Sequence, residues 1–131
     1  MIYLDSAALT KLVRAERETA GLSTWLAEQL GQPRVASALI EVEVPRAVNR
    51  HPGTDPARLA QVLSAVLRID VDGAVLGAAA ELSPPEVRSL DAIHLATALE
   101  LAAEVTAFVS YDKRLLDAAR TAGLPVASPG A

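Results

Sequence analysis

Thr106-Ala107-Phe108-Val109-Ser110-Tyr111-Asp112 runs a string of β-forming residues straight into a carboxylate. Branched and aromatic side chains suit a pleated surface. A run that is apolar without alternation suits a strand buried on both faces, as in a parallel sheet. Asp112 is then placed to cap the next segment, Lys113–Ala122, which reads as a helix that Gly123 stops. The same order of strand, acid and helix recurs at the other end of the sequence. Met1–Leu4 is apolar, Asp5-Ser6 supplies a cap, and Ala7–Val13 is the helix.

Working outward, Arg17–Leu30 carries helical spacing at Leu22, Leu26 and Leu30 and stops at Gly31. Pro33–Ala36 reads as a strand. Ser37 is expected to cap a helix to about Asn49, kinked by Pro45, which removes an i→i−4 bond. After the His51-Pro52-Gly53 loop, Asp55-Pro56 is a cap followed by an N1 proline for a helix to about Leu67. Leu67–Val71 is a short strand and Gly73–Leu82 a small-residue helix that Ser83-Pro84-Pro85 breaks. Ser89 is expected to cap a helix through Ala103. Pro125–Ala127 is a last short strand, and Ser128–Ala131 a tail. Strands alternating with helices predict an α/β fold, a central mostly parallel sheet with helices on both faces. In such sheets sites gather beyond the carboxyl ends of the strands, where Asp5 and Asp112 fall.

At 131 residues the chain suits a single domain, 1–131, large enough to bury a real core. Hydrophobic residues make up 51% but aromatics only 3%, so that core must be Leu, Val, Ile and Ala. The net charge of −4 argues against broad electrostatic adhesion to nucleic acid, though not against a local basic rim. With no cysteine, disulfides, Cys-zinc sites and thiol catalysis are excluded. No apolar run approaches the about 18 residues of a membrane span, and no charged-then-apolar leader opens the sequence. The expectation is a soluble, cytoplasmic protein.

Four acids stand out: Asp5, Glu43, Asp91 and Asp112. Asp5 and Asp112 also read as helix caps, and Asp91 as a first-turn acid favoured by the helix dipole. Capping and metal binding are compatible, because a carboxylate has several lone pairs. Glu43 shares a stripe with Leu39, Ile40 and Ala47 and points inward, whereas Glu41 points to the rim. His94, one turn after Asp91, reads as a hydrogen-bonded core histidine in preference to a metal ligand. Acids gathered in one place need protons or cations, and oxygen ligands favour a hard ion, Mg²⁺ or Mn²⁺.

Four segments then align with a known family. Ile2-Tyr3-Leu4-Asp5-Ser6-Ala7-Ala8-Leu9 comes first, followed by Ser37 with Glu43 six on and Arg46 nine on. Leu90-Asp91-Ala92-Ile93-His94-Leu95-Ala96-Thr97-Ala98 and Ser110-Tyr111-Asp112-Lys113-Arg114-Leu115 complete the set. In this order they resemble the PIN domain, and more narrowly the VapC toxins of bacterial toxin–antitoxin pairs. Pro45 is the departure from that pattern. The resemblance implies a PIN-like fold and a Mg²⁺- or Mn²⁺-dependent endoribonuclease acting on structured RNA such as tRNA or rRNA. It also implies a cognate antitoxin and a homodimer. Carried over by position, Asp5, Glu43, Asp91 and Asp112 form the catalytic quartet, with Asp5, Asp91 and Asp112 on the metal. Ser6, Ser110, Arg46 and Arg114 fall on the substrate side. A basic rim is expected from Lys11, Arg14, Arg17, Arg46, Arg50, Lys113 and Arg114.

Two other readings share some of these features. A phosphatase of the haloacid dehalogenase type also has an Asp after its first strand, but wants a second Asp two residues on, where this chain has Ala7. A non-catalytic protein-binding module would use its acids only as caps.

Overall fold

The computed structural model describes residues 1–131. Five short strands form one sheet: β1 (Ile2–Leu4), β2 (Arg34–Ser37), β3 (Leu67–Ile69), β4 (Ala107–Val109) and β5 (Val126–Ala127). Their order is β3-β2-β1-β4-β5, and every neighbouring pair is parallel. Seven helices make the connections: α1 (Ser6–Val13), α2 (Thr19–Glu28), α3 (Ile40–Val48), α4 (Pro56–Ser64), α5 (Gly73–Ala80), α6 (Ser89–Glu100) and α7 (Lys113–Thr121). This is the helix-flanked parallel sheet that the alternating pattern predicts. No helix is long and apolar enough to cross a membrane.

The pleat divides the core. Ile2 and Leu4 face the same side as Ala36 and Val109, where α1 to α4 deliver Leu9, Leu22, Leu26, Ile40 and Val44. Tyr3, Val35 and Phe108 face the other side, against Leu95 and Ala98 of α6 and Leu115 and Ala119 of α7. Tyr3 stacks on Phe108 with ring centroids 5.2 Å apart and planes 8° from parallel. Each fully buried large apolar side chain stabilises the fold by about 1.5–3 kcal/mol.

The topology fixes the location of the site. From β1 the chain winds outward to β2 and β3, then crosses back to β4 on the other flank of β1. The connections reverse at the β1–β4 boundary, and a crevice opens beyond the carboxyl ends of strands at such a point. Leu4 pairs with Val109 across this boundary, and the Asp5 N–H donates to the Val109 carbonyl at 3.2 Å. Asp5 and Ser110 therefore leave the sheet side by side.

Several local expectations shift. Ser37 ends β2 in place of capping α3, because sheet pairing claims its backbone: Ser37 pairs with Ile69, and the next N–H, of Ala38, donates to the Ile69 carbonyl at 2.8 Å. Its hydroxyl still accepts the Leu39 N–H at 3.2 Å. Ser89 is the first residue of α6, and Arg88 occupies the cap position without a side-chain bond. Helix α3 runs through Pro45 to Val48. The last four residues are docked. Tyr111 Oη donates to the Pro129 carbonyl at 2.7 Å and Ser128 Oγ to the Ser110 carbonyl at 2.8 Å. Gly130, at φ +82°, lies so close to Gly21 that a Cβ on Gly21 would sit 2.6 Å from its Cα.

Leu9 is fully buried, and Leu30 is 87% exposed. Leu9→Ala is expected to cost about 2–5 kcal/mol in urea unfolding, and Leu30→Ala less than about 0.5 kcal/mol. Equal costs would contradict this division of the core.

Candidate active site

Asp5 follows β1 in extended backbone and caps α1, accepting the Ala8 N–H on Oδ1 at 2.9 Å. It is only 4% exposed. Burial raises its pKa, against hydrogen bonds from the Ser110 hydroxyl and the Ala8 N–H. Asp112 occupies the equivalent place after β4 and caps α7, accepting the Leu115 N–H at 3.0 Å. Ser110 stands between the two: its oxygen accepts the Asp112 N–H at 3.2 Å, and its hydroxyl works to lower the Asp5 pKa. Ser110 is fully buried, so its hydroxyl serves the two aspartates from behind.

Asp91 stands in the first turn of α6, half-buried. Its pKa is raised first by desolvation, then by the charges of Asp112, Asp5 and Glu43, with His94 opposing. The four acids named from the sequence thus converge on Asp91. They do so loosely: no three Asp, Glu or His side chains are grouped closely enough to form a ready-made metal cage.

Glu43 reaches in from α3. Its Oε1 accepts Ser6 Oγ at 2.6 Å and His94 Nε2 at 2.8 Å. Burial works to raise its pKa, but those two hydrogen bonds and the nearby imidazole outweigh it and hold the carboxyl low. Glu41 faces away, paired with Arg68 at 3.0 Å on the surface. His94 is 1% exposed with both ring nitrogens engaged, Nδ1 by Tyr3 Oη at 2.8 Å and Nε2 by Glu43, so it has no lone pair to give a metal.

Two clefts flank this cluster. One, of about 270 Å³, lies between the starts of α6 and α7 and is lined by Arg88, Asp91, Asp112, Lys113 and Arg114. The other, of about 660 Å³, runs along α1 and α3 past Ser6, Glu43, Arg46, Arg50 and Arg88. Arg88 lines both. It was not among the residues singled out by the sequence, because an arginine beside a proline break carries no pattern. Arg46, Arg50, Arg88, Lys113 and Arg114 are exposed and make no salt bridge. Lys11 lines the larger cleft as expected, but its charge is engaged: Glu16 and Glu18 hold it at 3.2 and 3.0 Å, and it lies 4.7 Å from the Tyr111 ring centre. Arg17 also faces Glu18, at 3.5 Å.

Residues 2–121 match the PIN domain family. The chain is 47% identical over 136 residues to Ribonuclease VapC47 of Mycobacterium tuberculosis, an alignment covering 100% of this chain and 98% of that protein. Its fold superposes on the crystal structure of Mycobacterium tuberculosis VapC20, described as a sarcin-ricin loop cleaving toxin. The TM-score is 0.74 at 14% identity, over 98% of this chain and 100% of that one. A toxin–antitoxin complex from Klebsiella pneumoniae gives a TM-score of 0.71 at 20% identity, over 98% of each chain.

The raised pKa of Asp5 makes its charged form a burden on the fold. Its contribution to stability is full below the ordinary carboxylate range and is lost as pH rises through its raised value. Glu43, held low, contributes in the opposite sense, losing its share as pH falls through its depressed value. Asp5→Asn keeps a capping oxygen and removes the charge. In metal-free buffer it is expected to be at least as stable as the parent at pH 7 in urea unfolding. Any advantage should shrink on acidification. A variant clearly less stable at pH 7 would contradict the assignment.

Proposed function

Starting from a chain that belongs to the PIN domain family, and within it to the VapC-type ribonucleases, we propose that this protein is a divalent-metal-dependent endoribonuclease. We propose further that it acts as the toxin of a type II toxin–antitoxin pair, in the cytoplasm, on a structured RNA such as tRNA or rRNA. One observation carries the reading: Asp5 and Asp112 follow the neighbouring strands β1 and β4 where the sheet order reverses, and Asp91 lines the same cleft as Asp112.

The donor set fits a hard ion. The groups available are carboxylate oxygens of Asp5, Asp91 and Asp112, the imidazole of His94 is occupied, and the chain has no cysteine. That chemistry suits Mg²⁺ or Mn²⁺ and disfavours zinc. Bound there, such an ion supplies Lewis acidity toward a phosphate oxygen and lowers the pKa of water.

The remaining work falls to the chain itself. The caps on α1 and α7 set the directions of Asp5 and Asp112, and Ser110 ties their spacing from beneath. Glu43, kept ionised by Ser6 and His94, holds a fixed negative charge at the edge of the larger cleft. Arg46 and Arg50 on one side, and Lys113 and Arg114 on the other, can contact backbone phosphates, with Arg88 between them. Base stacking contributes little, because Tyr3 and Phe108 are buried. The RNA is therefore read through its shape and phosphate path.

A cognate antitoxin and a second copy of the chain complete the proposal. Support comes from an apolar groove along α5 and α6, lined by Leu76, Ala79, Ala80, Leu82, Ala92 and Ile93, which leaves apolar surface to cover. The whole of 1–131 is taken as one functional unit.

Cleavage mapping on total RNA tests the reading. Asp91→Asn is expected to lower cleavage more than about 100-fold, the several kcal/mol that a bound metal supplies. EDTA should abolish cleavage and Mn²⁺ restore it. Full activity of the variant, or activity undiminished in EDTA, overturns the proposal.

A further inference from the structure

His94 lies on a helix otherwise packed with Ala92, Leu95, Ala96 and Ala98. Two ring nitrogens in that setting are costly unless both are bonded. The bonds they make have a direction. Glu43 Oε1, a carboxylate acceptor 2.8 Å from Nε2, calls for the ring proton on Nε2. Tyr3 Oη accepts the backbone N–H of Ser37 at 3.1 Å and keeps its own proton to donate. His94 Nδ1, 2.8 Å away, is the acceptor. The lone pair is then on Nδ1 and the proton on Nε2, which donates to Glu43 Oε1 at 2.8 Å and also lies 3.1 Å from Ser6 Oγ.

Ser6 Oγ donates to the same carboxylate oxygen, at 2.6 Å. One oxygen of Glu43 therefore takes both bonds. Oε2 has no protein partner, and since no buried side-chain polar atom in the structure lacks one, Oε2 is open to solvent in the cleft that Glu43 lines. We propose that His94 is the positioning residue for Glu43: a relay from the β2 backbone through Tyr3 and His94 pins Oε1 and presents Oε2 to the incoming RNA. The assignment rests on the ribonuclease reading above for its functional consequence, but not for its geometry.

The relay explains why a glutamate on α3 can be exact in a helix whose backbone ladder is broken two residues later by Pro45. Its orientation is imposed by Ser6 of α1 and His94 of α6 and not by its own turn. A histidine that merely filled the core would need its ring volume and one bond to Tyr3. A positioning histidine needs the N–H toward Glu43.

Two readouts on the full-length protein separate these roles. In ¹⁵N NMR of the metal-free protein, the His94 ring is expected to carry its proton on Nε2 alone. In steady-state cleavage with Mn²⁺, His94→Leu is expected to lower kcat about 10–100-fold with little change in KM, as loss of an orienting partner does. His94→Gln, which keeps an N–H donor at the same reach, should recover most of the loss. A proton on Nδ1, protons on both nitrogens, or a folded His94→Leu that cleaves like the parent overturns the proposal. A parent protein that cuts no RNA yet shows the Nε2–H ring sinks the ribonuclease reading and upholds the relay.

Discussion

Repulsion between like charges governs the carboxyl-terminal edge of this sheet. Repulsion between two carboxylates scales inversely with their separation and reaches roughly 2 kcal/mol at about 8 Å with an effective dielectric near 20. A domain has only about 5–15 kcal/mol of net stability to set against it. The structure meets the repulsion differently at each acid. Asp5 is buried with its pKa raised. Asp91 is half-buried with its pKa raised by its neighbours. Glu43 is held ionised by two donors, and Asp112 is left in solvent. Nothing in the hydrophobic core calls for this arrangement.

The fold also supplies positive potential for those charges. Asp5 and Asp112 cap α1 and α7, and Asp91 lies in the first turn of α6. Three helix N-termini, with their unpaired N–H groups and partial positive charge, thus point at one crevice. The same ends that tolerate carboxylates favour phosphate oxygens. Net charge over the whole chain is negative, so positive charge at the clefts is local, carried by Arg46, Arg50, Arg88, Lys113 and Arg114 around an acidic floor. A net charge of −4 limits nonspecific adhesion.

Much of this was legible in the sequence because the physical signals were local. Continuous apolar runs marked β1 and β4 as doubly buried, and an acid after each run named both a cap and a site. Periodicity separated Glu43 from Glu41, since only one of two residues two apart on a helix can face inward. What stayed hidden depends on contacts between distant segments. Tyr3 reads as a core aromatic, and nothing near it announces that its hydroxyl meets a histidine 91 positions away. Along α6, Ala92 and every residue from His94 to Ala98 are buried, so no contrast between faces singles out His94. Ser37 looked like a cap because its side chain suits one; the competing claim of β3 on its backbone lies some thirty residues on. The Gly21–Gly130 contact likewise appears only once the two ends of the chain meet.

The haloacid dehalogenase reading gives way to the family match, while the reading of the acids as caps proves true without being sufficient. Caps account for Asp5 and Asp112 but not for Glu43 or for the raised Asp91. The central claim is that this crowded edge is completed by a divalent ion held by carboxylates that must first lose protons. Titration calorimetry of the metal-free protein with Mn²⁺, run at mildly acidic pH in two buffers of different ionisation enthalpy, tests it most directly. The account predicts saturable binding accompanied by net proton release; no binding, or binding that releases no protons, would contradict it.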